Sequence, residues 1–412
     1  MKKIFTFILT LSLTQLLVFG QNKDTGSVKK FGINFTGFVQ AEGAFDTRQT
    51  VNTRDAMLLF YPANASFDKN GKDINAKPAF NEYAMSARLN GTVTGPNAFG
   101  AKTMAYIEGD FTGPSSSEND AFRLRHAYIK LTWAKSELLM GQYWNPLNVP
   151  EMIPYVISLN TGAPFHPYSR QPQVRYTKSF GKFNIVAVAS TDRDFANTGP
   201  AGASYEYMRN SAIPELNLQL QYKNGDKFLC GLDGNYRKLV PRLKTDSSLV
   251  ADESIDCMAA SAFIKMKFDK FTIKLQGVVG QNLYEYSMMG GYAVEKVDTA
   301  TGKLTYTNLD QVTCWGDFST NNKKFNAGLF VGFAKNLGSQ HNIWGAYYSR
   351  GENIDMAYRV APRFLWTSGN VTLGSEFEYT TAAYGTKGWL DTVTDTKTYY
   401  NLRVLLSAQY NF

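Results

Sequence analysis

Most of the chain is a succession of stretches about ten residues long in which apolar and polar residues alternate, the period of a β-strand with one oily and one wet face. The last stretch, "YYNLRVLLSAQYNF", is typical. Tyr400, Leu402, Val404, Leu406, Ala408, Tyr410 and Phe412 form one set; Asn401, Arg403, Ser407, Gln409 and Asn411 form the other, with Leu405 the exception. The first, "FGINFTGFVQAE", sets Phe31, Ile33, Phe35, Gly37 and Val39 against Asn34, Thr36, Gln40 and Glu42. The pattern recurs in Tyr83, Met85, Ala87 and Leu89 against Glu82, Ser86, Arg88 and Asn90, in Leu216 to Tyr222, and in Val371 to Tyr379.

The connectors alternate between short and long. "TGPNAFG", "AKSE", "FGK", "NGD", "DK", "NLGSQ" and "TSGN" are turn formers suited to tight hairpins. Between them lie Ala44 to Phe80, Pro114 to Asp120, Trp144 to Arg170, Arg193 to Ala212, Leu239 to Glu253, Met288 to Lys323 and Thr386 to Lys397, with a brief one at Gly351 to Ile354. Short turns at one rim and long loops at the other predict an all-β fold, a single transmembrane antiparallel β-barrel of about 16 strands with short periplasmic turns and long extracellular loops. In hydrocarbon every backbone N–H and C=O must be paired, and a sheet achieves that only by closing. The last strand is therefore expected to pair with the first. A soluble sandwich also has alternating strands, but loops this long on one side only do not suit it.

The N-terminus fits an exported protein. Met1-Lys2-Lys3, an apolar run from Ile4 to Val18 and Phe19-Gly20 read as a signal peptide over 1–20, leaving 21–412 as one barrel domain. No later segment has the roughly 18 apolar residues of a spanning helix, yet aromatic residues are 14% of the chain. Losing Lys2 and Lys3 takes the 43 basic residues to 41 against 35 acidic, net +6. That excess is spread along the chain and is no nucleic-acid footprint. Cys230, Cys257 and Cys314 imply no disulfide framework.

The block "AFRLRHAYIKLTWAKSELLMGQYWNPLNVPEM", Ala121 to Met152, resembles the fourth and fifth strands and following loop of Gram-negative trimeric general-diffusion porins, especially the DcaP-like porins. The matching residues are Arg123, Leu124, Arg125, His126, Ala127 and Tyr128, then Gly141, Gln142 and Trp144. Phe412 resembles the signal such barrels present to the barrel-assembly machinery. The resemblance implies a homotrimer among outer-membrane lipid and lipopolysaccharide, passing small hydrophilic solutes and ions. It also implies a third loop, "NPLNVPEMIPYVISLNTGAPFHPYSRQP", folded into the lumen, with Glu151 at the constriction and an arginine ladder opposite. Arg88, Arg359, Arg363 and Arg403 fall on the polar parity of their strands, as do Glu376, Glu378, Glu108 and Asp110. Arg123, Arg125 and Arg175 join the ladder by resemblance and spacing.

These features predict a passive, water-filled outer-membrane channel with no cofactor and no catalytic group. One rival is a solute-specific channel using Tyr143, Trp144, Tyr155 and lumen arginines as a track for an anionic or sugar-like solute. A lipid-acting barrel enzyme and a surface adhesin are the others. His126, His166 and His341 lack metal spacing, and no G-x-S-x-G elbow is present. "DKNGKD", Asp68 to Asp73, lacks the glutamate of a calcium loop and reads as a turn.

Overall fold

The computed structural model describes residues 31–115 and 117–412; the expected signal peptide lies outside them. Sixteen strands close into one antiparallel barrel. They are β1 (Gly32–Asp46), β2 (two segments, Ala79–Tyr83 and Arg88–Thr94), β3 (Lys102–Asp110), β4 (Arg123–Thr132), β5 (Ser136–Trp144), β6 (Arg170–Phe180), β7 (Phe183–Ser190) and β8 (Glu215–Asn224). Then come β9 (Phe228–Leu239), β10 (Ile255–Lys267), β11 (Phe271–Gln281), β12 (Leu304–Thr320), β13 (Phe325–Ser339), β14 (Ile354–Ser368), β15 (Val371–Lys387) and β16 (Val393–Asn411). Each strand pairs with its sequence neighbours. β16 also pairs with β1 from Phe38↔Asn411 to Asp46↔Arg403, so the wall has no free edge.

Closure is carried to the last residue. Gly37 N donates to Phe412 O at 3.0 Å and Phe412 N to Gly37 O at 3.1 Å. Gly37 has to be small: a Cβ there would lie 2.2 Å from Arg88 O. The exterior is apolar, with Phe35, Leu218, Leu373, Leu406, Tyr410 and Phe412 exposed. The interior is polar, with Gln219, Asp317, Arg363, Glu376, Asn401 and Arg403 buried. Leu405, the exception to the alternation, faces inward and packs with Met57, Ile157 and Leu159.

Strand length is uneven around the wall. β12 to β16 have 15–19 residues each, whereas β3 to β8 have 8–11. The surplus lies toward the long connectors.

Three details differ from the sequence expectation. Leu304–Thr320, read as part of a connector, is strand β12. Its alternation lapses at 314–316, because Trp315 points inward to donate to Gln276 at 3.1 Å while Cys314 and Gly316 lie outside. The stretch "NLGSQ" is the end of β13 and leads into one long-rim connector, 340–353, that also takes in the brief connector at Gly351, whereas Thr386 to Lys397 shrinks to 388–392. Finally, β2 breaks at 84–87 and its parity flips. Tyr83 turns inward to donate to Asp55 O at 2.8 Å, and Glu82 is left outside.

An apolar core also lies within the wall. Leu58, Phe60 and Tyr61 of connector one (47–78) and Val149, Met152, Ala163 and Phe165 of connector three (145–169) pack on Trp315, Phe330, Ala334, Ala357, Ala361 and Ala382. Small residues make room for this layer. A Cβ on Gly332 would lie 2.4 Å from the Phe165 ring.

Candidate pore constriction

Connector three runs past the inward side chains of one half of the barrel and bonds to them along its length. Gln219 of β8 donates to Pro146 O at 3.0 Å, and Gln276 of β11 to Leu147 O at 2.9 Å. Lys223 of β8 pairs with Glu151 at 2.8 Å, and Lys274 of β11 donates to Ile153 O at 2.5 Å. Tyr155 N donates to Asp317 of β12 at 3.2 Å, and Ile157 N to Glu376 of β15 at 2.5 Å. Asn160 donates to Glu378 at 2.7 Å, and Arg359 of β14 to Ala163 O at 2.9 Å. In sequence these strand groups are spread from Gln219 to Glu378; strand parity brings them to one surface.

This half-wall is neutralised by internal pairs. Arg363 meets Asp317 at 2.7 Å, and Arg403 meets Asp46 at 2.6 Å. Arg359 sits 3.7 Å from Glu378, donates to Thr380, and also reaches Leu59 O and Phe60 O of connector one at 3.0 Å each. It therefore fastens both connectors. Arg359, Arg363, Glu376, Glu378 and Arg403 are all buried to within 1%.

The opposite half-wall carries the other predicted arginines. Arg125 bonds Glu108 at 2.6 Å and Asp110 at 2.8 Å; Arg123 bonds Asp110 at 2.7 Å and Asp194 at 3.2 Å. Arg88 lies 3.6 Å from Glu108 and remains partly exposed. Arg175 donates to Gln173 at 3.0 Å and covers the Tyr143 ring at 5.4 Å. The ten predicted residues thus fall into two groups across the barrel. Arg88, Arg123, Arg125 and Arg175 lie on β2, β4 and β6, and the other six lie on connector three or β14 to β16.

Two carboxylates outside the strands are tuned by these cations. Burial opposes charge on Glu151, but the Lys223 ammonium outweighs it and holds the carboxyl below its usual range. Asp194, on the connector after β7, is buried too; Arg170, Arg123 and Arg54 outweigh that and hold it ionised.

Sequence reasoning missed several partners. Lys223 follows Gln219 and Gln221 on one parity and was legible. Asp317 was hidden with β12. Asp194 lies in a connector without periodicity, where no pattern marks it. Among the described residues, no group of three or more His, Cys, Asp or Glu is placed to hold a metal.

No protein-family model matches the sequence, and no curated protein matches it. Solved structures do. The chain is similar to the outer membrane channel DcaP of Acinetobacter baumannii, with a TM-score of 0.68 and 18% identity over 95% of this chain and 99% of that one. An anion-selective porin from Comamonas acidovorans aligns with a TM-score of 0.55 and 11% identity, over 93% of this chain and 100% of its own. OmpT, an outer membrane protein of Vibrio cholerae, in its trimer form, aligns with the same TM-score, identity and coverage. With its closed wall, polar interior and near end-to-end alignment, the chain has the fold of the DcaP-like outer-membrane porins.

Proposed function

We propose that the protein is an outer-membrane channel through which small hydrophilic solutes and ions diffuse passively. In this reading connector three folds into the lumen and constricts it. The observation that carries the reading is the run of hydrogen bonds from Pro146 to Ala163 with inward side chains of β8, β11, β12, β14 and β15. With that half covered, the passage runs along β1 to β7, past Arg88, Arg123, Arg125 and Arg175, with Glu151 facing them. Sixteen strands are enough to leave an aqueous lumen where eight are not. Pore charges act strongly because a narrow passage lowers the local dielectric.

The reading extends to a signal peptide over 1–20, barrel assembly through Phe412, surrounding lipid and lipopolysaccharide, and a homotrimer. The trimer draws support from the trimer form of OmpT. It assigns the chain no catalytic role.

Planar-bilayer recording of the refolded full chain tests the proposal. Large, steady, non-saturating conductance is expected. A chain that inserts but passes no current would overturn the channel reading and leave the enzyme or adhesin.

A further inference from the structure

Building on the channel reading, we propose that the vestibule between connector three and the short-turn rim is a binding subsite for a neutral, hydroxyl-rich ring solute, a pyranose sugar. The vestibule is a cavity of about 780 Å³ whose lining includes Tyr128, Leu139 and Tyr143 on one side and Glu151 and Lys223 facing them. That volume lies within the ~300–1,000 Å³ of small-molecule sites.

The tyrosines form a fixed platform. Tyr128 and Tyr143 meet edge to face, centroids 5.1 Å apart, and Tyr106 stacks behind Tyr128 at 5.4 Å. Their rings sit on the inner faces of three successive strands and are half-buried, so part of each remains open to a solute. The Tyr106 hydroxyl is committed to Glu108 at 2.8 Å. Those of Tyr128 and Tyr143 bond to no other described residue, although both rings are held in place. An apolar face bearing unused hydroxyls matches a sugar, whose C–H face is apolar and whose edge both donates and accepts.

The tyrosine platform favours a ring solute, and ion pairs take up part of the charge around it. The two lysines that reach the cavity from the barrel strands are each matched by a carboxylate, Lys223 by Glu151 at 2.8 Å and Lys130 by Glu137 at 3.3 Å, while Lys135 at the turn and Arg175 line it without one. Such pairs present donors and acceptors side by side with no net charge. Arg175, bonded to Gln173 and laid over Tyr143, adds donors at the edge of the platform.

The test adds maltose to the refolded full chain in planar bilayers, with benzoate as the anionic comparison. Maltose is expected to reduce the open current saturably. Tyr128→Ala and Tyr143→Ala should each raise its half-blocking concentration by roughly three- to tenfold. Tyr143→Phe, which keeps the ring and loses the hydroxyl, should raise that concentration by less than Tyr143→Ala does, and guards against a misfolded variant. An open channel that maltose does not block, block unchanged in both alanine variants, or stronger block by benzoate would overturn the subsite. If the chain passes no current, the channel reading fails. Calorimetric titration of the detergent-solubilised protein with maltose then decides the subsite alone: saturable heat supports it, and none refutes it.

Discussion

At the residue scale, the arginines do different jobs although one parity rule found most of them. Arg359 and Arg363 are buried beneath the connectors, where each bonds an acid and Arg359 also holds backbone carbonyls. Arg88 and Arg175 keep looser partners. Glu151 is the one acid that connector three contributes to the proposed passage, and Lys223 holds its carboxyl below the ordinary 4.5. A carboxylate with a depressed folded value contributes its pairing in full above the unfolded value, and loses it as pH falls through the folded one. Wild-type ion preference is therefore expected to hold at pH 4.5 and to drift toward anions only at lower pH, as Glu151 takes up its proton. Glu151→Gln should show the acid behaviour at every pH, with permeability shifted toward anions by roughly two- to fivefold. Reversal potentials under a salt gradient check this; identical profiles for the two proteins would remove Glu151 from the pore.

At the element scale, the hairpin rhythm was readable because lipid and water impose opposite demands on alternate residues. Where that demand lapses, reading fails. On β12 a tryptophan faces inward to Gln276, and glycine and cysteine face out, so the polarity signal lapses at 314–316. On β2 the break at 84–87 flips the parity, placing Tyr83 against Asp55 and Glu82 outside. Connectors carry no period at all, so the hairpin Thr50–Pro62 that packs beneath Arg359 had no signature. The arginine block on β4 was found by its likeness to known strands, whereas its partner Asp194 was not. Gly332 gives the packing of connector three a direct check. Gly332→Val puts a side chain where the Phe165 ring lies, which overpacking would resist by about 1–3 kcal/mol. The expected outcome is a looser connector, seen as larger and noisier single-channel currents with an unchanged β-sheet circular dichroism spectrum.

At the scale of the whole molecule, stability depends on a ring with no ends. The seam between β1 and β16 is completed by Phe412 and Gly37 through two backbone hydrogen bonds. Deleting Phe412 removes both and exposes the end of β1 in an environment where unpaired groups cost several kcal/mol each. Yield of barrel that resists unfolding in cold detergent should fall severalfold, measured by gel mobility with and without heating. Gly37→Val should act in the same direction, because its side chain would collide with Arg88 O. Unchanged yield in both variants would show that closure does not depend on this seam.

The unequal strands make the mouth oblique. With a rise of roughly 3.3 Å per residue and a tilt of about 40°, a 19-residue strand climbs roughly 48 Å and a nine-residue strand roughly 23 Å. One flank, β12 to β16, then stands as a parapet roughly 13–23 Å above a hydrocarbon band about 25 Å tall, while β3 to β8 end about level with it. In the proposed channel, a small solute arriving along the cell surface would enter over the low flank, beside Arg123 and Asp194. A bulky ligand such as an antibody or a phage fibre meets the parapet first. Recognition from outside and permeation would then belong to opposite sides of the same ring.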